Sequence, residues 1–176
     1  MRIWTLRHPP VDRQGRCIGQ TVIETTLPGA EAVRRAIDAA PFRPAQLFSS
    51  DLPRCANLAH GLAEAWSVQV HTDARLREMN FGEWEGRTYD AIAEEDGPRW
   101  YQWCDNWRTQ APPGGETLDG FVARVSGWLH DLQPGPTDAL VTHAGVIRVL
   151  RVLSGSSWDD AMASDNPFLG WTEHRL

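Results

Sequence analysis

Three short apolar runs in this chain each stop at a polar segment that could do chemistry: Leu6-Arg7-His8, Ser49-Ser50-Asp51-Leu52-Pro53-Arg54 and Val141-Thr142-His143-Ala144-Gly145. Each run reads as a buried strand, and the second and third lead into helices. A strand that stops, turns and feeds a helix presents free backbone N–H groups at the helix start, where an anion is favoured. Strands alternating with helices predict an α/β fold. It is a three-layer sandwich, with a mostly parallel central sheet and helices on both faces. Ligands in such folds bind beyond the carboxyl ends of the strands, and all three segments fall there.

The pattern along the chain fills in that outline. Strands are expected over Arg2–Leu6, Ala45–Ser49, Val68–His71 and Asp138–Thr142, with an edge strand near Phe168–Trp171. Helices are expected over Gly29–Ala40, from a Ser50 or Asp51 cap to about Trp66, and over Gly145–Leu153, with Pro53 in the first turn of the second. A further helix runs from Tyr89 to Trp107, broken at Gly97-Pro98. Leu118, Phe121, Val122, Val125, Trp128, Leu129 and Leu132 share one face of the most periodic helix. Trp100, Trp103 and Trp107 at helical spacing read as core packing. Residues 9–28 and 73–88 read as loops, and residues 1–176 as a single domain.

Composition excludes several classes of function. A formal net charge of −6 argues against a nucleic-acid partner held by a broad basic face. All 17 basic residues are arginine, so lysine Schiff-base chemistry and a P-loop are both ruled out. Three separated cysteines give neither a disulfide framework nor a zinc site. With no bilayer-length apolar run and no signal-like N-terminus, the reading is a cytoplasmic protein with no membrane partner. A homodimer is left open.

His8 is the candidate nucleophile. An imidazole accepts a phosphoryl group on one nitrogen while the other holds a proton, donated to a backbone carbonyl to fix the tautomer. Arg7 and Arg54 would supply the electrostatic stabilisation that dominates phosphoryl transfer, and His143 with Ala144 would add to the phosphate cradle. Glu78 is the candidate general acid for the leaving alcohol, because like charge favours the protonated form of a carboxyl beside a phosphate dianion. Glu83 and Glu85 are its rivals, and Glu116 reads as a first-turn helix acid.

Together Arg7-His8, the Ser49–Arg54 segment, Glu78 with Phe81-Gly82-Glu83-Trp84-Glu85-Gly86, and Thr142-His143-Ala144-Gly145-Val146-Ile147-Arg148 resemble the histidine phosphatase (phosphoglycerate mutase-like) superfamily. The run Arg77–Gly86 and the Arg-His-Pro opening look most like its α-ribazole phosphatase branch, which serves cobalamin biosynthesis. The resemblance implies a phosphomonoester hydrolase working on a small phosphorylated metabolite, α-ribazole 5′-phosphate among the candidates. It implies a phosphohistidine at His8, a phosphate held by Arg7, Arg54 and His143, and Glu78 as the acid. No cofactor and no metal are implied. The alternatives are a phosphoglycerate mutase-type phosphoryl transferase and a non-catalytic binder of phosphorylated ligands. One departure concerns the site: Pro9 stands where the family usually has glycine, and proline offers no N–H to a phosphate.

Overall fold

The computed structural model describes residues 2–132, 135 and 137–176. Its strands are β1 (Arg2–Arg7), β2 (Gln46–Ser49), β3 (Gln69–Thr72), β4 (Ala139–Thr142) and β5 (Trp171–Arg175). They form one sheet in the order β3-β2-β4-β1-β5, parallel except for the antiparallel edge strand β5. The helices are α1 (Gly29–Asp38), α2 (Pro53–Trp66), α3 (Tyr89–Asn106), α4 (Leu118–Leu132), α5 (Ala144–Leu153) and α6 (Trp158–Ala163).

Strand pleating sends alternate side chains to opposite faces, and the sequence supplies apolar residues for both. Leu47 of β2, with Ala139 and Val141 of β4, packs against α1 and α2. Phe48 and Leu140, one residue out of phase, pack against α4 and α5. The apolar stripe of α4 is buried at Leu118, Phe121, Val125, Trp128 and Leu129. The side chain of Leu132 lies outside the described residues.

Several expected boundaries shift. Helix α2 is capped by neither Ser50 nor Asp51. Its N-cap is Leu52, which makes no side-chain cap bond, and Pro53 occupies the first turn. Asp51 is instead committed to a two-pronged pair with Arg77, at 2.7 and 2.5 Å. The C-terminal strand begins at Trp171 rather than Phe168, because the peptide before it folds back with Leu169 at φ 57°. The α3 segment is one kinked helix, with Asp96 non-helical at φ −136° just before Gly97 and Pro98. Pro98 lacks an N–H and crowds the preceding turn, which accounts for the bend. Helix α6 had no counterpart in the sequence reading.

Candidate active site

The parallel pairing of β1 with β4 brings two histidines to one rim of the sheet. Arg7 lies opposite Thr142 in register, and the His8 amide continues the ladder to the Thr142 carbonyl at 3.0 Å. His143 follows Thr142 and forms the N-cap of α5. The two imidazole rings stand 5.2 Å apart between centroids. Ser50, just past β2, donates its amide to the Val141 carbonyl at 3.1 Å and so joins the same rim.

Hydrogen bonding fixes both tautomers. A carbonyl can only accept, so His8 Nδ1 carries the proton in its 2.7 Å bond to the Pro9 carbonyl. His8 Nε2 therefore keeps its lone pair. Pro9 thus contributes its carbonyl, an atom that proline and glycine share. Arg54 Nε donates to His143 Nδ1 at 3.3 Å, so the proton of His143 sits on Nε2, facing Ser50 Oγ at 2.9 Å. Burial, then the charge of Arg54, lowers the His8 pKa to about 3. Burial first, and Arg54 next, also hold His143 well below the ordinary histidine value. Both rings are neutral at neutral pH, as a nucleophilic imidazole must be.

Arg54 lies one turn into α2 and is only 3 % exposed. It donates to the carbonyls of Gly19 and Thr21 as well as to His143. Three of its five donors are thereby used and two remain. The other guanidinium, Arg7, donates to the Asn166 carbonyl and lies 3.8 Å over the Phe168 ring, while its Nε is buried without a partner. Phe168 also packs on His8 at 5.5 Å. Neither Asn166 nor Phe168 was singled out from the sequence. Both sit in the irregular peptide before β5, where no local pattern marks them.

The structure separates the rival carboxylates. Glu78 lines a cavity of about 400 Å³ together with Arg7, Ala144, Gly145 and Arg148. It accepts the Met79 amide at 3.0 Å and the Gly145 amide, in the first turn of α5, at 3.1 Å. A Cβ at residue 145 would stand 1.9 Å from Glu78 Oε1, so only glycine admits the carboxylate there. Glu85 is consumed elsewhere. It accepts the amides of Gly19, Gln20, Thr21 and Phe81, at 2.8 to 3.1 Å, and the Thr21 hydroxyl. Glu83 is exposed and points to Arg99. Glu116 binds the Asn80 amide and Arg124, which in turn donates to the carbonyls of Arg75, Arg77 and Glu78. Glu116 therefore braces the loop that carries Glu78 instead of only opening α4.

The cavity is lined by aromatic rings as well as charge. Trp103 and Trp107 line it, with Phe81 and Trp158. Trp100 and Trp103 also pack on the buried Trp84, at 5.1 and 5.7 Å. Trp103 and Trp107 thus both pack and line the site. His8, Arg54 and His143 are buried, with His8 5 % exposed, and are not among the residues lining that cavity.

The family model for the histidine phosphatase superfamily, branch 1, matches residues 3–163. The chain belongs to that superfamily. It is a histidine phosphatase, and its relatives include proteins named as phosphatases and proteins named as probable phosphoglycerate mutases. It is 28% identical over 171 residues to the adenosylcobalamin/alpha-ribazole phosphatase of Salmonella typhimurium, covering 90% of this chain and 84% of that one. It is 32% identical over 164 residues to a glucosyl-3-phosphoglycerate phosphatase of Mycobacterium tuberculosis, covering 85% and 73%. The alpha-ribazole phosphatase structure from Shigella flexneri superposes with a TM-score of 0.87 over 98% of this histidine phosphatase and 89% of that chain, at 24% identity. That superposition fixes the phosphoglycerate mutase-like fold. Among the described residues, no helix is long and apolar enough to cross a membrane.

Proposed function

We propose that this histidine phosphatase hydrolyses a small phosphomonoester by way of a phosphohistidine at His8, and that α-ribazole 5′-phosphate is the first substrate to test. One observation carries the reading: the His8 Nδ1–H bond to Pro9 leaves Nε2 unprotonated beside His143 and the Arg54 guanidinium. In the first step the Nε2 lone pair attacks phosphorus and the ester P–O bond breaks. The departing alkoxide takes a proton from Glu78. In the second step water attacks phosphorus, the P–N bond breaks, and the Glu78 carboxylate takes the proton from that water. Arg7, Arg54, His143 and the start of α5 at Ala144 stabilise the charge that gathers on the phosphoryl oxygens.

The aromatic cavity wall of Phe81, Trp103, Trp107 and Trp158 supports a planar leaving group of the α-ribazole kind. The relative named for that substrate supports the same choice. Rapid mixing with p-nitrophenyl phosphate, followed by quenching, tests the proposal. Wild type is expected to trap an acid-labile phosphohistidine, and His8→Ala neither labels nor turns over. A His8→Ala variant with near-normal turnover ends the proposal. Transfer of phosphate between two positions of phosphoglycerate, in place of release to water, would make the protein a mutase.

A further inference from the structure

The arginines of this chain are almost all spoken for. Every arginine but one makes a hydrogen bond or ion pair among the described residues, including Arg13 to the Ile18 carbonyl and Arg151 to Asn166. The exception is Arg148. No nitrogen of its guanidinium has a hydrogen-bond or ion-pair partner among the described residues, and its Nε is buried and unpaired. Arg148 is not on the outer surface. It lies one helical turn past Ala144 on α5, and Ala144, Gly145 and Arg148 together line the catalytic cavity. Its charge falls on Arg7, and it lines the cavity beside Arg7 and Glu78, whereas His8, Arg54 and His143 are not among the lining residues. Among the described residues, the one carboxylate lining that cavity is Glu78, which is already tied to two backbone amides.

A buried Nε–H without an acceptor is costly, because that donor has lost water and gained nothing in return. The arrangement makes sense when the missing acceptor arrives with the substrate. Because the phosphoryl group belongs with Arg7, Arg54 and the histidines, the acceptor must lie on the leaving alcohol. The fork of a guanidinium takes two oxygens at once.

We infer that Arg148 is a specificity-determining residue that binds a pair of oxygen acceptors, a carboxylate or a vicinal diol, on the leaving group of the substrate. The inference rests on the phosphatase reading above and narrows its substrate class. Simple alkyl or aryl phosphates lack such a pair and gain nothing from Arg148.

The test uses three substrates with wild type and Arg148→Met. Ribose 5-phosphate offers a vicinal diol, 3-phosphoglycerate a carboxylate, and p-nitrophenyl phosphate neither. The expected result is that Arg148→Met lowers kcat/KM on one of the first two about tenfold more than on p-nitrophenyl phosphate. That is the lower end of the loss for a hydrogen bond to a charged group. The substrate that suffers names the acceptor. An equal loss on all three, as a merely structural role would give, overturns the inference. If wild type hydrolyses none of the three, the phosphatase reading fails separately. The inference is then read by calorimetric binding of ribose 5-phosphate and 3-phosphoglycerate. Affinities unchanged by Arg148→Met would overturn it.

Discussion

Glu78 is proposed as the proton donor for what surrounds it rather than for its type. Three glutamates within eight residues were candidates for the proton donor, and only Glu78 faces the cavity with Arg7. Glu78→Gln keeps the shape and removes the proton. On an alkyl phosphate it should slow turnover by about 10²–10⁴. On p-nitrophenyl phosphate, whose leaving group needs little help, the loss should be much smaller. Comparing kcat on the two substrates checks this, and equal losses would shift the role to another acid. The histidines make a second prediction. Burial lowers His8 to about 3 and His174 to about 4, from an ordinary 6.5. Between those values the unfolded chain binds protons that the folded chain refuses, so stability falls as pH drops below about 6.5. Each such histidine contributes up to about 1.4 kcal/mol per pH unit in that window. Urea midpoints should therefore be lower at pH 5 than at pH 7, with a shallower drop in His8→Asn.

At the scale of the element, the site is assembled by loops tied to helix starts. The Glu85 carboxylate gathers four amides and a hydroxyl, and so sets the conformation of residues 19–21. The carbonyls of Gly19 and Thr21 then hold Arg54, and Arg54 holds His143. Glu85 is thus a positioning residue, two contacts removed from the phosphate. In Glu85→Gln an amide NH₂ must face backbone N–H groups, and the loop loosens. The expected loss in kcat/KM is about 10–100-fold, in line with the cost of a misplaced catalytic group. It should appear as slower phosphohistidine formation at a temperature where circular dichroism shows the variant folded. Unchanged labelling would confine Glu85 to stability. The start of α2 follows the same logic. Because Asp51 is paired with Arg77, no side chain caps the helix, and its first turn stays open toward the site.

Across the whole molecule, the parallel sheet makes the convergence possible. Placing β4 between β2 and β1 brings the ends of three strands side by side, and with them Ser50, His143 and His8. Two apolar layers hold that arrangement. Trp128 is fully buried in the layer of α4 and α5 and meets Phe48 of β2 edge-on at 5.4 Å. Trp128→Ala should cost about 3–5 kcal/mol in urea unfolding, because the neighbours cannot collapse into so large a void. A loss below about 1 kcal/mol would mean that the layer repacks freely.

The alternation of strand and helix was legible in the sequence because it depends on local period and on turn residues. So were Arg7, His8, Arg54 and His143, since each sits beside a strand end or helix start that its neighbours announce. Helix α6 and the start of β5 were not, being short, polar and set by packing on distant elements. Glu78 already stands first among the carboxylates in the sequence, but the Gly145 amide that holds it is 67 residues away in the chain, and the lowered pKa of His8 comes from burial that only the folded layers provide. The isolation of Arg148 has the same origin. A side chain's partners come from remote parts of the polypeptide, so residue type alone cannot say whether a charge is satisfied.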